Sequence, residues 1–214
     1  MKSGRLYLAL AVMVAMSGCE GVGVGASSDP LVKFDQAREL ERQGRFFMAQ
    51  RVLLQAVEIS EKRRDEWGIA ESYRQLGFFY RAPIPPNSHG LLPDDFAETT
   101  DGVENRYLRS NEYFRKSAEL YEKIGDNAAV SNLDFVMAQN YLGPLKDQVT
   151  GCKLLDRSLE LHHRAVDANP SLQVILPPNY QSFDEAINDF KRRFCAPVAL
   201  GPALRRLTAA EPRA

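Results

Sequence analysis

Residues Phe34–Val57 read FDQARELERQGRFFMAQRVLLQAV. Phe34, Ala37 and Leu40 fall on one face at helical spacing, and Gly44 interrupts the run. Met48, Ala49, Val52, Leu53, Ala56 and Val57 then form a second apolar stripe. Two stripes of helical period around a short break predict an antiparallel helical hairpin. Just upstream, Asp29-Pro30 supplies an N-cap acceptor followed by a proline suited to the first turn.

The pattern returns downstream. A third stripe holds Ile69, Ala70, Tyr73, Leu76, Gly77 and Tyr80, and a fourth holds Phe114, Ala118, Tyr121 and Ile124. Gly125-Asp126 ends that helix and caps the next. Val130, Leu133, Met137, Ala138 and Tyr141 make a fifth stripe, and Leu155, Leu159, His162 and Val166 a sixth. Small and bulky residues alternate across each pair. A small residue lets the partner helix approach, and a bulky one a turn away fills the gap. No hairpin buries its apolar face alone, so successive hairpins must stack.

These residues resemble tetratricopeptide (TPR) repeats. In the first copy Ala37, Leu40, Gly44, Phe46, Ala49, Leu53 and Ala56 take the expected offsets. In the second, Leu76, Gly77 and Tyr80 match helix A. Its helix B is displaced to about Arg106–Ile124, with Ser110, Phe114 and Ser117 in the small-large-small positions. In the third, Met137, Ala138 and Tyr141 match helix A, and Gly151, Leu155 and Ser158 match helix B. The resemblance implies an all-α, TPR-like solenoid of about three hairpins over 29–169. A generic helical bundle with similar spacing is the alternative.

Residues 82–104 interrupt the second hairpin. Pro83, Pro85 and Pro86 forbid helix continuation. A loop this long is either functional or a tolerated surface insertion. Asn169-Pro170 ends the sixth helix, and the apolar run near Val174–Leu176 reads as a packed extended segment. Ser182 and Glu185 form a capping box. Phe183, Ile187, Phe190 and Phe194 then share one face, so 170–196 reads as a capping segment and helix. Residues 197–214, with Pro202 and Pro212, read as a flexible tail.

The N-terminus has a different logic. Lys2 and Arg5 precede an apolar run, Leu6–Met16, which is shorter than the about 20 residues that span a bilayer. Small Ser17 and Gly18 follow. This is the layout of a cleavable export signal, 1–18. Met16-Ser17-Gly18-Cys19 resembles the lipobox of bacterial lipoproteins, although Met16 replaces the more usual leucine. The resemblance implies a diacylglyceryl group on the Cys19 sulfur and cleavage before Cys19. Glu20, rather than an aspartate, then implies sorting to the outer membrane, facing the periplasm. Gly21–Ser28 is rich in Gly and Ser, so 19–28 reads as a lipidated residue and flexible tether. An ordinary signal peptide with a free Cys19 is the alternative.

Composition excludes little. Charged residues are 26% of the chain and the formal charge is −1. Loss of residues 1–18 removes Lys2 and Arg5 and takes the charge to −3. No basic excess points to nucleic acid. After Cys19, Cys152 and Cys195 remain as an even pair in an oxidising compartment, which predicts a disulfide; reversible or buried thiols are the alternatives. His162-His163 are adjacent on a helix, about 100° apart, so one is expected to face the core and one solvent, with no shared metal ion. His89 lies in the insertion without a partner. The chain has no G-x-S-x-G, no H-E-x-x-H and no phosphate-binding glycine loop, and neither a catalytic role nor a cofactor is expected.

The TPR resemblance implies a groove, lined by the A helices, that binds a peptide or partner subunit. Carried onto this chain, the groove positions are Phe34, Arg38, Glu41, Glu71, Arg74, Phe78, Arg81, Asn132, Phe135 and Gln139. Arginine forks bind carboxylates and aromatics supply buried area, so an acidic or C-terminal peptide is the expected ligand. A merely solvated face is the alternative. By analogy at fold level, a pilotin-like assembly factor for an outer-membrane pilus, secretion or polysaccharide-export machine is a second reading. A third is a small-ligand protein or enzyme that uses 82–104 as a lid.

Overall fold

The structure, a computed structural model, describes residues 26–83, 100–174, 176 and 178–195. Cys19, most of the Gly/Ser stretch, insertion residues 84–99 and the tail from 196 lie outside the described residues.

Among the described residues the fold is all-helical. The helices are α1 (Pro30–Arg42), α2 (Phe46–Arg63), α3 (Glu66–Arg81), α4 (Thr100–Lys123), α5 (Asn127–Leu142), α6 (Gln148–Ala168) and α7 (Phe183–Phe190). A π-helical turn, Lys191–Cys195, follows α7. Helices pack most heavily as the pairs α1–α2, α3–α4 and α5–α6, and each pair stacks on the next. This is a repeat-like α-solenoid of three hairpins closed by α7.

Local chemistry accounts for the helix starts. The carboxylates of Asp29, Asp65, Asp126 and Asp147 accept from the backbone N–H groups of Leu31, Gly68, Ala129 and Thr150 at 2.9–3.0 Å. Each satisfies a donor that the first turn leaves unpaired. Ser182 Oγ accepts from Glu185 N at 3.0 Å, and Glu185 reaches back to Gln181 N at 2.8 Å, a near-reciprocal capping box.

The small residues sit where hairpins close. A Cβ on Gly77 would lie 2.3 Å from the Phe114 ring, and one on Gly151 would lie 2.5 Å from Leu142. Ser110 donates to Gly77 O at 2.8 Å and Ser117 to Ala70 O at 2.7 Å, which ties α4 to α3. Ser131 and Ser158 exchange hydroxyl-to-carbonyl bonds at 2.7 and 2.8 Å, which ties α5 to α6. Serine fills these positions because its hydroxyl can bond the facing backbone without widening the seam.

Three apolar clusters run along the solenoid. The first joins Phe34, Leu40, Phe46, Leu53, Leu76 and Tyr80. The second centres on Phe114, Tyr121, Leu133 and Met137. The third packs Phe135, Ala138 and Leu155 under Phe183 and Ile187 of α7. Val174 and Leu176 of the extended segment pack on the third, as their apolar run predicts.

The structure departs from the sequence reading in three places. Helix α4 begins at Thr100, so the last residues of the 82–104 insertion are helical. Extending a formed helix costs little once its nucleus exists. Ile124 and Phe194 end their apolar stripes but are exposed: Ile124 lies past the end of α4, and Phe194 lies in the π-helical turn, whose wider repeat leaves the 3.6-residue register of the stripe.

Candidate functional site

Helices α1, α3 and α5 carry the predicted groove residues, and the structure divides them into buried and accessible groups. Phe34 is 4% exposed and Phe135 is 2% exposed. Phe34 belongs to the first core cluster. Phe135 makes edge-to-face contacts with Phe183 and Phe190, each at 5.3 Å, beneath the capping helix. Neither can touch a ligand, which corrects the carried-over assignment. Helical spacing selects the face, but α7 and the neighbouring hairpin decide whether that face stays open.

Arg74, Phe78 and Arg81 fall at i, i+4 and i+7 on α3, so they share one face. All three are half-buried. The Arg74 guanidinium lies 5.7 Å from the Phe78 ring centre, and Phe78 meets Phe114 edge-to-face at 5.0 Å. Glu71 is buried and accepts from Tyr121 Oη at 2.7 Å, Gln75 Nε2 at 2.6 Å and Arg74 Nη1 at 3.2 Å. Burial and the Glu71 charge push the Tyr121 hydroxyl well above its ordinary range, so it stays protonated and donates.

Arg81 carries the link to α5. Its Nε donates to Asn140 Oδ1 at 2.9 Å, and its Nη2 donates to Gln139 Oε1. Asn140 is buried and passes its own donors to Asn111 Oδ1 at 2.8 Å and Ser110 Oγ at 3.3 Å. The guanidinium is therefore held by neutral amides, and no carboxylate pairs with it among the described residues. Burial depresses its pKa, but it remains a cation at neutral pH.

The other groove positions are scattered. Asn132 and Gln139 are half-buried on α5 at i and i+7. Arg38 is exposed on α1 and pairs with Asp35. Glu41 is half-buried, and burial raises its carboxyl above the usual range against the opposing pull of Arg38. Arg81 with Gln139, Arg74 with Phe78, and Glu71 with Arg74 are thus the predicted residues that meet. The carried-over pattern omits Asn140, Asn111 and Tyr121. A sequence signal existed for Asn140, a polar residue in the mainly apolar helix α5; Asn111 sits among Arg109, Ser110 and Glu112 and carried none.

Away from the groove, Cys152 on α6 and Cys195 after α7 lie at disulfide distance, with Sγ atoms 2.01 Å and Cα atoms 5.7 Å apart. His162 is half-buried with its ring centre 4.9 Å from that of Phe183, and His163 is exposed, as adjacency on a helix predicts. Both nevertheless meet one carboxylate of α7. His163 Nε2 lies 2.9 Å and His162 Nε2 3.7 Å from Asp184. Among the described residues no group of three His, Cys, Asp or Glu has metal-binding geometry. A separate cleft of about 380 Å³ beside the cap is lined by Tyr180, Glu185, Asp189, Arg192 and Arg193. Its acids and bases largely neutralise one another: Asp189 accepts from Tyr180 at 2.8 Å, and Arg192 and Arg193 pair with it.

No helix among the described residues is long and apolar enough to cross a membrane. In comparisons with protein-family models and with curated proteins, the chain matches none.

Proposed function

We propose that this chain is a lipid-anchored periplasmic TPR-like scaffold whose α3–α5 groove binds an acidic or C-terminal peptide segment of an envelope protein. The observation that carries the reading is Arg81. It is a half-buried guanidinium, fixed in orientation by Asn140 and Gln139, without a carboxylate of its own among the described residues. An incoming carboxylate would meet a cation already partly desolvated and already oriented, which lowers the cost of ordering it on binding. One turn and two turns away, Phe78 and Arg74 add an aromatic face and a second guanidinium. A short patch of aromatic and arginine side chains is the composition of a binding hot spot.

The anchor half of the reading rests on the order of charge, apolar run and lipobox before Cys19. Confinement near a membrane raises the local concentration of groove and partner. Co-purification from solubilised envelopes tests both halves. Cys19→Ser should move the chain out of the membrane fraction. The double variant Arg74→Ala/Phe78→Ala should stay anchored and folded but lose its captured partner. Unchanged capture by the double variant would remove the groove from consideration.

A further inference from the structure

The solenoid has two rims, because its helices alternate in direction. Helices α1, α3 and α5 begin at one rim, where α2 and α4 end. The chain enters α1 at that rim, and Arg63 at the end of α2 donates to Ser28 just before it, at 3.4 Å. The same rim carries exposed apolar side chains: Leu31 at 53%, Trp67 at 47% and Ile124 at 40% exposure, with Val32 beside Leu31. Lys62, Arg63, Arg64 and Lys123 are exposed among them. Three of the acids at this rim, Asp29, Asp65 and Asp126, are committed to helix caps. Glu58 pairs with Lys62 and Glu122 with Arg157.

We infer that this rim docks on the headgroup–acyl boundary of the bilayer, so that the anchored solenoid stands on the ends of its first hairpins. The inference rests on the anchoring of Cys19 and adds an orientation to it. Cys19 precedes Pro30 by eleven residues, a reach of at most about 40 Å, and the tether joins the domain at this rim, where α1 begins. A tryptophan, three aliphatic side chains and interleaved Lys and Arg make the composition that settles at a lipid interface, where rings and stems bury and charged heads stay wet. Charges of both signs line the rim, so the docking is apolar in origin and persists on zwitterionic lipid and in salt. Phe47 and Val149, also exposed, lie at the opposite rim, where α2 and α6 begin, and provide a control.

Trp67 is the only tryptophan in the chain and reports its own depth. The chain from Cys19 is coupled through that thiol to a maleimide lipid in phosphatidylcholine vesicles containing lipids brominated near the headgroup end of the acyl chain. Trp67 emission should shift to the blue and fall by at least a third. Leu31→Ser/Ile124→Ser, coupled equally, should lose at least half of that quenching, and Phe47→Ser/Val149→Ser should keep it. Absence of quenching in the coupled chain overturns the docking. So does loss of quenching in the Phe47/Val149 variant alone: the 16 residues of α3 hold the rims about 24 Å apart, beyond bromine contact. Mass analysis of Cys19 from cell membranes separates the two claims. An unmodified cysteine with quenching intact refutes the anchor and supports the rim, whereas an acylated cysteine without quenching refutes only the rim.

Discussion

Asp134 and Arg157 face each other across the α5–α6 seam, Oδ2 to Nε at 3.4 Å, but only the arginine reaches solvent. The Asp134 side chain is fully buried, and neither of its oxygens accepts a hydrogen bond. Arg157 is half-exposed and also donates to Glu122 on α4. One exposed cation thus serves two acids, and the buried one is underserved. Burial pushes the Asp134 carboxyl up to about 7, against the pull of Arg157 and with a further push from Glu122.

A raised folded-state pKa means that the protonated acid is favoured in the fold. The resulting stability is complete below the unfolded value of 3.8 and is lost as pH rises through about 7. His162, whose pKa burial lowers, acts oppositely as pH falls. The useful measurement is therefore the difference between wild type and Asp134→Asn. The variant should gain melting temperature relative to wild type between pH 6 and 8.5. A constant difference across that range would show that Asp134 does not titrate there.

Removing the cation instead exposes the cost of the acid. Arg157→Met should destabilise by about 2 kcal/mol at pH 8, because the buried Asp134 loses its counter-charge and must take up a proton. That uptake costs about 1.4 kcal/mol for the one unit between pH 8 and its pKa of about 7, on top of the lost Glu122 pair. At pH 5.5, with Asp134 protonated, the loss should shrink to under about 1 kcal/mol, the scale of the remaining half-exposed Arg157–Glu122 pair. Urea titrations at the two pH values give the comparison.

Gly77→Ala should cost about 1–3 kcal/mol, since its methyl group would enter the space of the Phe114 ring. Adding Phe114→Leu, which shortens the opposing side chain, should recover part of that loss. Independent, additive losses in the double variant would mean that the contact is not the cause.

Asn140→Ala should destabilise by about 1–3 kcal/mol, because it leaves Arg81 Nε and Asn111 Oδ1 without their buried partner. Gln139→Ala, half-buried on α5, should stay within about 0.5 kcal/mol of wild type in the same assay.

Replacing Cys152 and Cys195 together by serine should cost up to about 4 kcal/mol from the 43-residue separation. The cap should suffer first, since the pair joins α6 to the segment after α7. Peptide mass mapping without reductant checks the bond directly, and two free thiols would refute it.

What the sequence determined by itself was local. Helix starts follow from Asp29, Asp126 and Ser182, whose side chains bond N–H groups two or three residues on. The stripes follow from a 3.6-residue period, and the close seams from Gly77 and Gly151. The approach of Cys152 to Cys195 was expected from the even pair left once Cys19 is set aside as the lipobox cysteine. Tertiary structure decided what covers each face. Phe34 and Phe135 are groove residues by the TPR resemblance, yet the adjoining hairpin and α7 bury them. Asp134 is the one charged residue of α5, and only the packing of α4 and α6 against it takes it out of water. His162 and His163 diverge on their own helix and converge only because α7 brings Asp184 to both. The periodicity of a helix names the side that turns inward, whereas the partner that meets it comes from residues tens of positions away.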